Sequence, residues 1–234
     1  MDSNYPDENA LKVERSGITE VILVRHGETS WNSDGILQGQ LESELNELGW
    51  RQAEAVAERL AKESSISALY SSDLKRALDT ATIISQKCGL QVIPNSAWRE
   101  RHLGKLQGLS RREAPFLDPV AFQAFTSHKK WNNPIPGGGE SCDQFYDRST
   151  SALEEIANKH RGERVLVVTH GGVFRMLWEF VGGKSSPGKI LNTAVSVIRK
   201  DENGSWSVHS WGDTSHLNGV GILKSGFGGD SESG

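Results

Sequence analysis

The apolar positions of the chain alternate between short unbroken runs and longer stripes with helical spacing. Residues 21–24 and 165–168 are runs of four aliphatic residues, which is typical of strands buried on both faces of a parallel sheet. A shorter run covers residues 68–70. Between these runs, apolar residues recur every three or four positions, as on one face of an amphipathic helix. The alternation predicts an α/β fold with three layers (α/β/α) around a mostly parallel sheet.

Residues that can cap helices, and glycines that can end them, mark the boundaries of the predicted helices. Asn46, Ser72 and Ser141 each precede an amphipathic stretch, and Ser141 begins a capping box with Gln144. Gly89 follows the second stretch, where a glycine commonly ends a helix. The predicted helices cover residues 47–62, 73–88, 142–159 and 172–181.

Smaller elements are predicted around this core. Residues 193–199 and 205–211 are expected to pair through the tight turn Asn203-Gly204, which gives a C-terminal hairpin or an antiparallel edge strand. A short strand is expected at residues 91–97.

The chain is expected to form a single domain over residues 17–225, because no linker-like composition interrupts it. Residues 1–16 and 226–234 lack periodicity and are expected to be flexible tails. Residues 105–140 form an insert, in which prolines interrupt a helix expected within residues 113–128. An insert of this kind beside a binding site is a candidate lid.

Charge and composition narrow the choice of partners. The 234 residues carry a formal net charge of −4, and basic residues cluster only in pairs such as Arg111-Arg112, which disfavours nucleic-acid binding. No apolar run approaches the length of a membrane span. Cys88 and Cys142 imply neither a disulfide framework nor a zinc site. We therefore expect a cytoplasmic protein without nucleic-acid or membrane partners, and the sequence leaves a homodimer open.

Two of the buried runs end in the same way, in a histidine followed by a glycine. Arg25-His26 follows the first run, and His170-Gly171 follows the last one. If the two strands are parallel neighbours, both imidazoles face one crevice, because ligands of open α/β sheets bind beyond the carboxyl ends of the strands. A lone histidine after a strand is usually a structural hydrogen-bonding group, whereas two at equivalent strand ends favour a catalytic site.

The first of these motifs carries a family resemblance. Residues 25–29, Arg-His-Gly-Glu-Thr, followed by Trp31-Asn32, resemble the signature of the histidine phosphatase superfamily in its phosphoglycerate mutase-like branch. The resemblance extends from about residue 19 to about residue 226, which is nearly the whole chain. It implies a phosphoglycerate mutase-like fold.

Two further motifs support the resemblance and change how their residues are interpreted. Residues 71–77 are similar to the family's second phosphate-binding motif, which contributes Arg76, and residues 100–108 resemble its acid-bearing segment, which begins at Glu100. On residue type alone, Arg76 and Glu100 would be interpreted as solvated surface residues. The resemblance implies that both belong to the active site.

The residue types suit phosphoryl transfer, which needs a nucleophile and donors around the phosphoryl oxygens. Neutral His26 is the candidate nucleophile, and it would form a phosphohistidine. The planar guanidinium groups of Arg25 and Arg76 suit phosphate oxygens. His170 can donate a further hydrogen bond and, as a cation, would stabilise developing charge, while Asn32 adds a neutral donor.

The resemblance implies that these five residues, together with Gly171, form the phosphate pocket. It also implies that Glu100 protonates the leaving oxygen and then activates water, as a general acid and base. The sequence contains no Asp-x-Asp phosphatase start, no His-Glu-x-x-His and no cluster of Cys and His ligands. We therefore expect neither a metal nor another cofactor.

Several stretches distinguish a hydrolase from a mutase. Residues 100–108 look mutase-like, but residues 36–39 and 136–141 resemble phosphatase patterns, and Thr169 stands where mutases usually have alanine. The insert after Gly108 is also shorter than in mutases. We therefore expect a phosphomonoesterase, with a cofactor-dependent phosphoglycerate mutase as the alternative. A catalytically inactive phospho-ligand binder is disfavoured because no motif residue is missing.

Within this branch, the chain resembles plant phosphoglycerate mutase-like proteins, including metal-independent phosphoserine phosphatases. Phosphoserine is therefore the first expected substrate, ahead of 3-phosphoglycerate and other small phosphoesters. Arg101 and His102, with the insert, are candidates to hold a substrate carboxylate, and Gln38 of the phosphatase-like loop is a third candidate substrate contact.

Overall fold

The computed structural model describes residues 17–127, 132–183 and 187–221. The tails predicted at residues 1–16 and 226–234 lie outside the described residues. Among the helices that are described, none is both long and apolar enough to cross a bilayer.

A six-stranded sheet forms the centre of the fold. Its strands are β1 (Thr19–Arg25), β2 (Ile66–Ser71), β3 (Val92–Pro94), β4 (Arg164–Thr169), β5 (Val195–Lys200) and β6 (Trp206–Asp213). Their spatial order is β3-β2-β4-β1-β5-β6. The first four strands in this order are parallel, whereas β5 and β6 are antiparallel at one edge. The mostly parallel sheet and its C-terminal hairpin are therefore confirmed.

Four helices cover the two faces of the sheet. The described helices are α1 (Ser30–Ser33), α2 (Glu47–Leu60), α3 (Lys75–Cys88), α4 (Ala114–Leu117), α5 (Pro119–Thr126), α6 (Cys142–Lys159) and α7 (Gly171–Phe180). The helices α2 and α3 pack on one face, where they meet Ile22 and Leu166, and α6 and α7 pack on the other, where they meet Leu23 and Val167. Successive side chains of a strand point to opposite faces, so the unbroken apolar runs of β1 and β4 supply both cores.

Two of the predicted helix caps are confirmed, and a third is wrong. The side chain of Asn46 accepts a hydrogen bond from Gly49 N, and Ser141 forms its capping box with Gln144. Ser72, however, does not cap α3, which begins at Lys75 after an N-cap without a side-chain hydrogen bond. The Ser72 hydroxyl instead lies 2.7 Å from Nε2 of His170.

The strand predicted at residues 91–97 is also shorter than expected. It ends at Pro94, and Ser96–Trp98 forms a 3₁₀ turn. The cause is local, because the Asn95 side chain accepts a hydrogen bond from Ala97 N at 2.8 Å and caps this turn.

The insert at residues 105–140 has its own small core. The proline-interrupted helix predicted there is two helices, α4 and α5, which meet at Asp118, and its last residue falls outside the described part of the chain. The buried side chains below them come from the insert and from the loop after α1, and they include Leu37, Leu106, Phe125 and Ile135. The insert is therefore packed against the loop that borders the candidate site.

Candidate active site

The two strand-end histidines lie side by side. Strands β1 and β4 are parallel neighbours with Arg25 opposite Thr169, and His26 N donates a hydrogen bond to Thr169 O at 2.9 Å. The ring centroids of His26 and His170 are 5.1 Å apart, and both residues are buried. The prediction that the two imidazole rings lie together beyond the ends of β1 and β4 is confirmed.

The tautomer of His26 is set by its own backbone neighbour. Nδ1 lies 2.7 Å from the carbonyl oxygen of Gly27, and because a carbonyl can only accept, Nδ1 carries the proton. Nε2 then carries the lone pair. Burial, with the nearby charges of Arg76 and Arg25, holds the pKa of His26 well below its usual value, so the ring is neutral at pH 7. A neutral imidazole with a free Nε2 lone pair is what a nucleophile requires.

His170 lies in the same electrostatic field. Burial and the charge of Arg76 hold the pKa of His170 well below its usual value, so this ring too is neutral in the protein alone. The role expected of a cationic His170, to stabilise charge that develops during the reaction, stays a prediction. Nε2 contacts the Ser72 hydroxyl, while Nδ1 is buried without a hydrogen-bond partner within the described residues.

The two predicted phosphate-binding arginines are anchored by backbone carbonyls. Arg76 is buried and donates to Leu41 O at 2.9 Å and to Gly39 O at 2.7 Å, and Arg25 donates to Ile190 O at 2.6 Å. Burial lowers the pKa of Arg76 to about 10, so the side chain keeps its charge at neutral pH. A carbonyl oxygen holds a guanidinium group in place without cancelling its charge. The positive charge can therefore still attract an anion.

Glu100 lies at the amino end of α7, directly beyond His170. One carboxyl oxygen accepts a hydrogen bond from Arg101 N at 2.8 Å, and the other accepts one from Gly172 N at 3.0 Å. A Cβ at Gly172 would lie 2.1 Å from the Glu100 carboxyl, so the position requires glycine for this contact. Gly171, a predicted phosphate contact, is the first residue of the same helix, whose amino end favours anions.

Asn32 reaches the site through another residue. Its side-chain oxygen accepts from Thr29 N at 3.1 Å within the capping box of α1. Asn192 donates to His26 O at 3.0 Å and to the same Asn32 oxygen at 3.4 Å. Asn32 is thus linked to the His26 backbone through Asn192.

The three predicted substrate contacts differ in what they offer. The side-chain oxygen of Gln38 accepts from Ser43, and Nδ1 of His102 accepts from Gly104 N, so both of these groups hold loop backbone or a loop side chain. Arg101 is buried and donates from Nε to Glu140 O at 3.1 Å. Both of its terminal nitrogens are buried without a partner among the residues described, so Arg101 is the candidate with free donors.

Several supporting residues were not identified from the sequence. Ser72 contacts His170, Asn192 donates to the His26 backbone, and Thr80 accepts from Gly27 N at 3.0 Å. Thr193 adopts a left-handed φ of 56° and donates from its backbone to Arg25 O. A β-branched residue in this region is strained, and the strain lies beside the candidate nucleophile.

Across residues 17–127, 132–183 and 187–221, no three imidazole, thiol or carboxylate side chains cluster closely enough to hold a metal ion.

The chain is similar to known proteins over almost all of its length. The sequence profile of the histidine phosphatase superfamily (branch 1) matches residues 21–214. "Phosphoglycerate mutase-like protein 4" of Arabidopsis thaliana is 51% identical over 234 residues, covering 97% of this chain and 100% of its own length. "Metal-independent phosphoserine phosphatase" of the same plant is 53% identical over 224 residues, covering 95% and 92%. The solved structure titled "Bacillus stearothermophilus YhfR" has a TM-score of 0.78 at 33% identity, covering 85% of this chain and 99% of that chain.

The fold, the paired histidines and the profile match agree on the class of protein. The chain belongs to branch 1 of the histidine phosphatase superfamily. It is a phosphatase, and its substrate is a small phosphorylated molecule.

Proposed function

We propose that the chain hydrolyses small phosphate monoesters, with phosphoserine as the first substrate, through a phosphohistidine on His26 and without a metal ion. The observation that carries this proposal is the 2.7 Å hydrogen bond from Nδ1 of His26 to Gly27 O. This bond fixes the tautomer that leaves Nε2 free, and burial, with the adjacent arginine charges, lowers the pKa of His26 and keeps the ring unprotonated at neutral pH.

The first half of the reaction transfers the phosphoryl group to the protein. The Nε2 lone pair of His26 forms a bond to phosphorus as the bond from phosphorus to the ester oxygen breaks. Arg25 and Arg76 stabilise charge on the phosphoryl oxygens, and His170 adds a hydrogen bond. The Glu100 carboxyl gives its proton to the departing alkoxide, which leaves as the alcohol.

The second half returns the protein to its starting state. The Glu100 carboxylate takes a proton from water, and the water oxygen attacks phosphorus as the phosphorus–nitrogen bond breaks. Inorganic phosphate and neutral His26 result. Arg101 N and Gly172 N hold the Glu100 carboxyl in place through both halves of the reaction, because neither backbone group takes part in a bond change.

Phosphoserine is proposed as substrate on two grounds. The relative at 53% identity is named a metal-independent phosphoserine phosphatase. Arg101 follows Glu100 directly, and its two buried terminal nitrogens can donate a bidentate pair of hydrogen bonds to a carboxylate. Loss of Arg101 should therefore raise KM for phosphoserine more than for a monoester without a carboxylate.

The mutase alternative differs in the fate of the phosphohistidine. A mutase must exclude water and hold a second phosphate, which requires additional cations near the site. Among the cations of the insert, Lys105 and Arg112 are exposed and Arg111 is half-buried. Water should therefore reach the phosphohistidine, and 3-phosphoglycerate should give inorganic phosphate or no reaction rather than 2-phosphoglycerate.

The experiment is a screen of the purified protein against phosphoserine, 3-phosphoglycerate and other small phosphoesters, in excess EDTA. We expect phosphate release at the highest kcat/KM from phosphoserine, with inhibition by vanadate, a mimic of the phosphoryl transition state. Loss of activity in EDTA that Mg²⁺ restores would contradict the metal-free mechanism. Rapid, 2,3-bisphosphoglycerate-dependent formation of 2-phosphoglycerate would favour the mutase.

The cytoplasmic location, the flexible tails and a homodimer stay predictions, and the proposed activity depends on none of them.

A further inference from the structure

Arg148 of α6 holds the chain at Glu100 and just before it, although it touches neither histidine. Its NH1 donates to Ala97 O and to Arg99 O, each at 2.9 Å, and its NH2 donates to Glu100 O at 3.3 Å. One guanidinium thus donates to three carbonyls of the segment that runs from the 3₁₀ turn to Glu100.

Glu140 completes this arrangement from the other direction. Its carboxylate accepts from Nε and NH2 of Arg148 at 2.8 and 2.7 Å, in a bidentate pair. The same carboxylate accepts from His102 N at 2.8 Å, and the Glu140 carbonyl accepts from Nε of Arg101. The pair is largely buried, with side-chain exposures of 22% for Arg148 and 19% for Glu140.

These contacts fix the segment relative to the helix that holds the other oxygen of Glu100. The carboxyl of Glu100 bridges Arg101 N on its own segment and Gly172 N on α7. Arg148 lies 5.1 Å from the ring centroid of Phe145, and a ring carbon of Phe145 would lie 3.0 Å from a Cβ at Gly172. Helix α6 therefore holds the backbone of Glu100 through Arg148 and lies beside Gly172 through Phe145.

We propose that the Arg148–Glu140 pair positions Glu100 for proton transfer, so that these two residues act on the reaction through Glu100. This inference rests on the proposed function, because it assumes that Glu100 is the general acid. Displacement of a reacting group by 1 Å can cost roughly 10²-fold in rate. Loss of the pair is therefore expected to lower kcat/KM most for substrates whose leaving group must be protonated.

The test compares Arg148→Met with a matched control. Arg164 at the start of β4 is similarly exposed and similarly paired, to Glu20 and Glu63, but lies at the opposite end of the sheet. We expect Arg148→Met to lower kcat/KM for phosphoserine about 10²-fold. It should lower kcat/KM for p-nitrophenyl phosphate, whose leaving group departs without a proton, less than about 10-fold. Arg164→Met should leave the ratio of the two substrates unchanged.

A double-mutant cycle separates positioning from general loss of structure. If Arg148 acts through Glu100, Arg148→Met should cost little more than a factor of two on phosphoserine when Glu100→Gln is already present. Losses that multiply, or equal losses on both substrates, would overturn the proposal. Glu140→Gln keeps the volume but weakens the pair, so it should show the same substrate selectivity if Arg148→Met fails to fold. Arg148→Lys, which retains the charge without the planar fork, should recover only part of the loss.

Failure of this inference is distinguishable from failure of the proposed function. If Glu100→Gln alone lacks the difference between substrates, the acid role itself is wrong. If Glu100→Gln shows the difference and both pair variants do not, the acid role stands and the positioning role is wrong.

Discussion

Two arginines at opposite ends of the central sheet, Arg164 and Arg76, have opposite kinds of hydrogen-bond partner. At the end where β4 begins, Arg164 donates to the carboxylates of Glu20 and Glu63 at 2.6 and 2.8 Å, and Arg199 shares Glu20. At the other end, beyond the carboxyl ends of β1 and β4, Arg76 is buried and donates to two backbone carbonyls. The charge of Arg164 is neutralised by its carboxylate partners, whereas Arg76 keeps its field.

The difference separates a structural arginine from a functional one. A carboxylate partner cancels the guanidinium charge, and such partly exposed pairs contribute little to stability. A carbonyl partner fixes the geometry and leaves the charge to act on its surroundings. Here burial lowers the pKa values of His26 and His170, and the charge of Arg76 lowers them further. Burying a charge is costly, so a buried arginine without a carboxylate hydrogen-bond partner indicates a site for an anionic ligand.

The largest expected difference in activity is between the variants in which Arg76 or Arg164 is replaced by methionine. Arg76→Met should lower kcat/KM for phosphoserine by roughly 10³-fold or more, since guanidinium groups that stabilise phosphoryl transfer are worth about this much. Arg164→Met should keep near-normal activity and lose about 1 kcal/mol of unfolding free energy. Steady-state kinetics and urea unfolding of both variants measure these effects. A similar activity loss in both variants would contradict the distinction.

The Glu100 carboxyl should show a smaller, substrate-dependent effect. Glu100→Gln keeps the side-chain volume but removes the ionisable group. It should slow phosphoserine hydrolysis by roughly 10²- to 10⁴-fold, the usual worth of general acid catalysis, and should slow p-nitrophenyl phosphate hydrolysis less. Measurements of kcat/KM on the two substrates show whether Glu100 acts as the general acid. Equal losses on both would argue against that role.

The smallest expected effect is on the pH dependence of the free energy of unfolding. Burial, with the nearby charge of Arg59, lowers the pKa of His216 from 6.5 to about 4. The unfolded chain therefore binds a proton near pH 6.5 that the folded protein does not bind until about pH 4, so stability is full above pH 6.5 and falls as the pH drops toward 4.

His216→Asn should reduce this slope by about 1.4 kcal/mol per pH unit at most, in urea unfolding between pH 7 and pH 4.5. Identical slopes for the wild type and His216→Asn would contradict the assignment. His26 and His170 act in the same direction, so some slope should remain in the variant.

The sheet and the pair of histidines could be predicted because they depend on local pattern. Unbroken apolar runs define β1 and β4, and a parallel sheet brings the residues after both strands to one edge. The supporting contacts could not be predicted in this way. Arg148 lies 48 positions from Glu100, Ser72 lies 98 from His170, and Asn192 is yet further from His26. No periodicity or capping pattern encodes such pairs, and Ser72 was assigned instead to the helix cap that its local sequence suggested.

The central claim is that Nε2 of His26 carries the phosphoryl group during turnover. Incubation with phosphoserine followed by a quench in base, in which phosphohistidine survives, should trap one phosphoryl group on His26, and acid should release it. Phosphorus NMR of the trapped protein should place it on Nε2, since Nδ1 donates its proton to Gly27 O. His26→Ala should lose both the trapped group and turnover. Substantial hydrolysis by His26→Ala, or an adduct on another residue during wild-type turnover, would contradict the account.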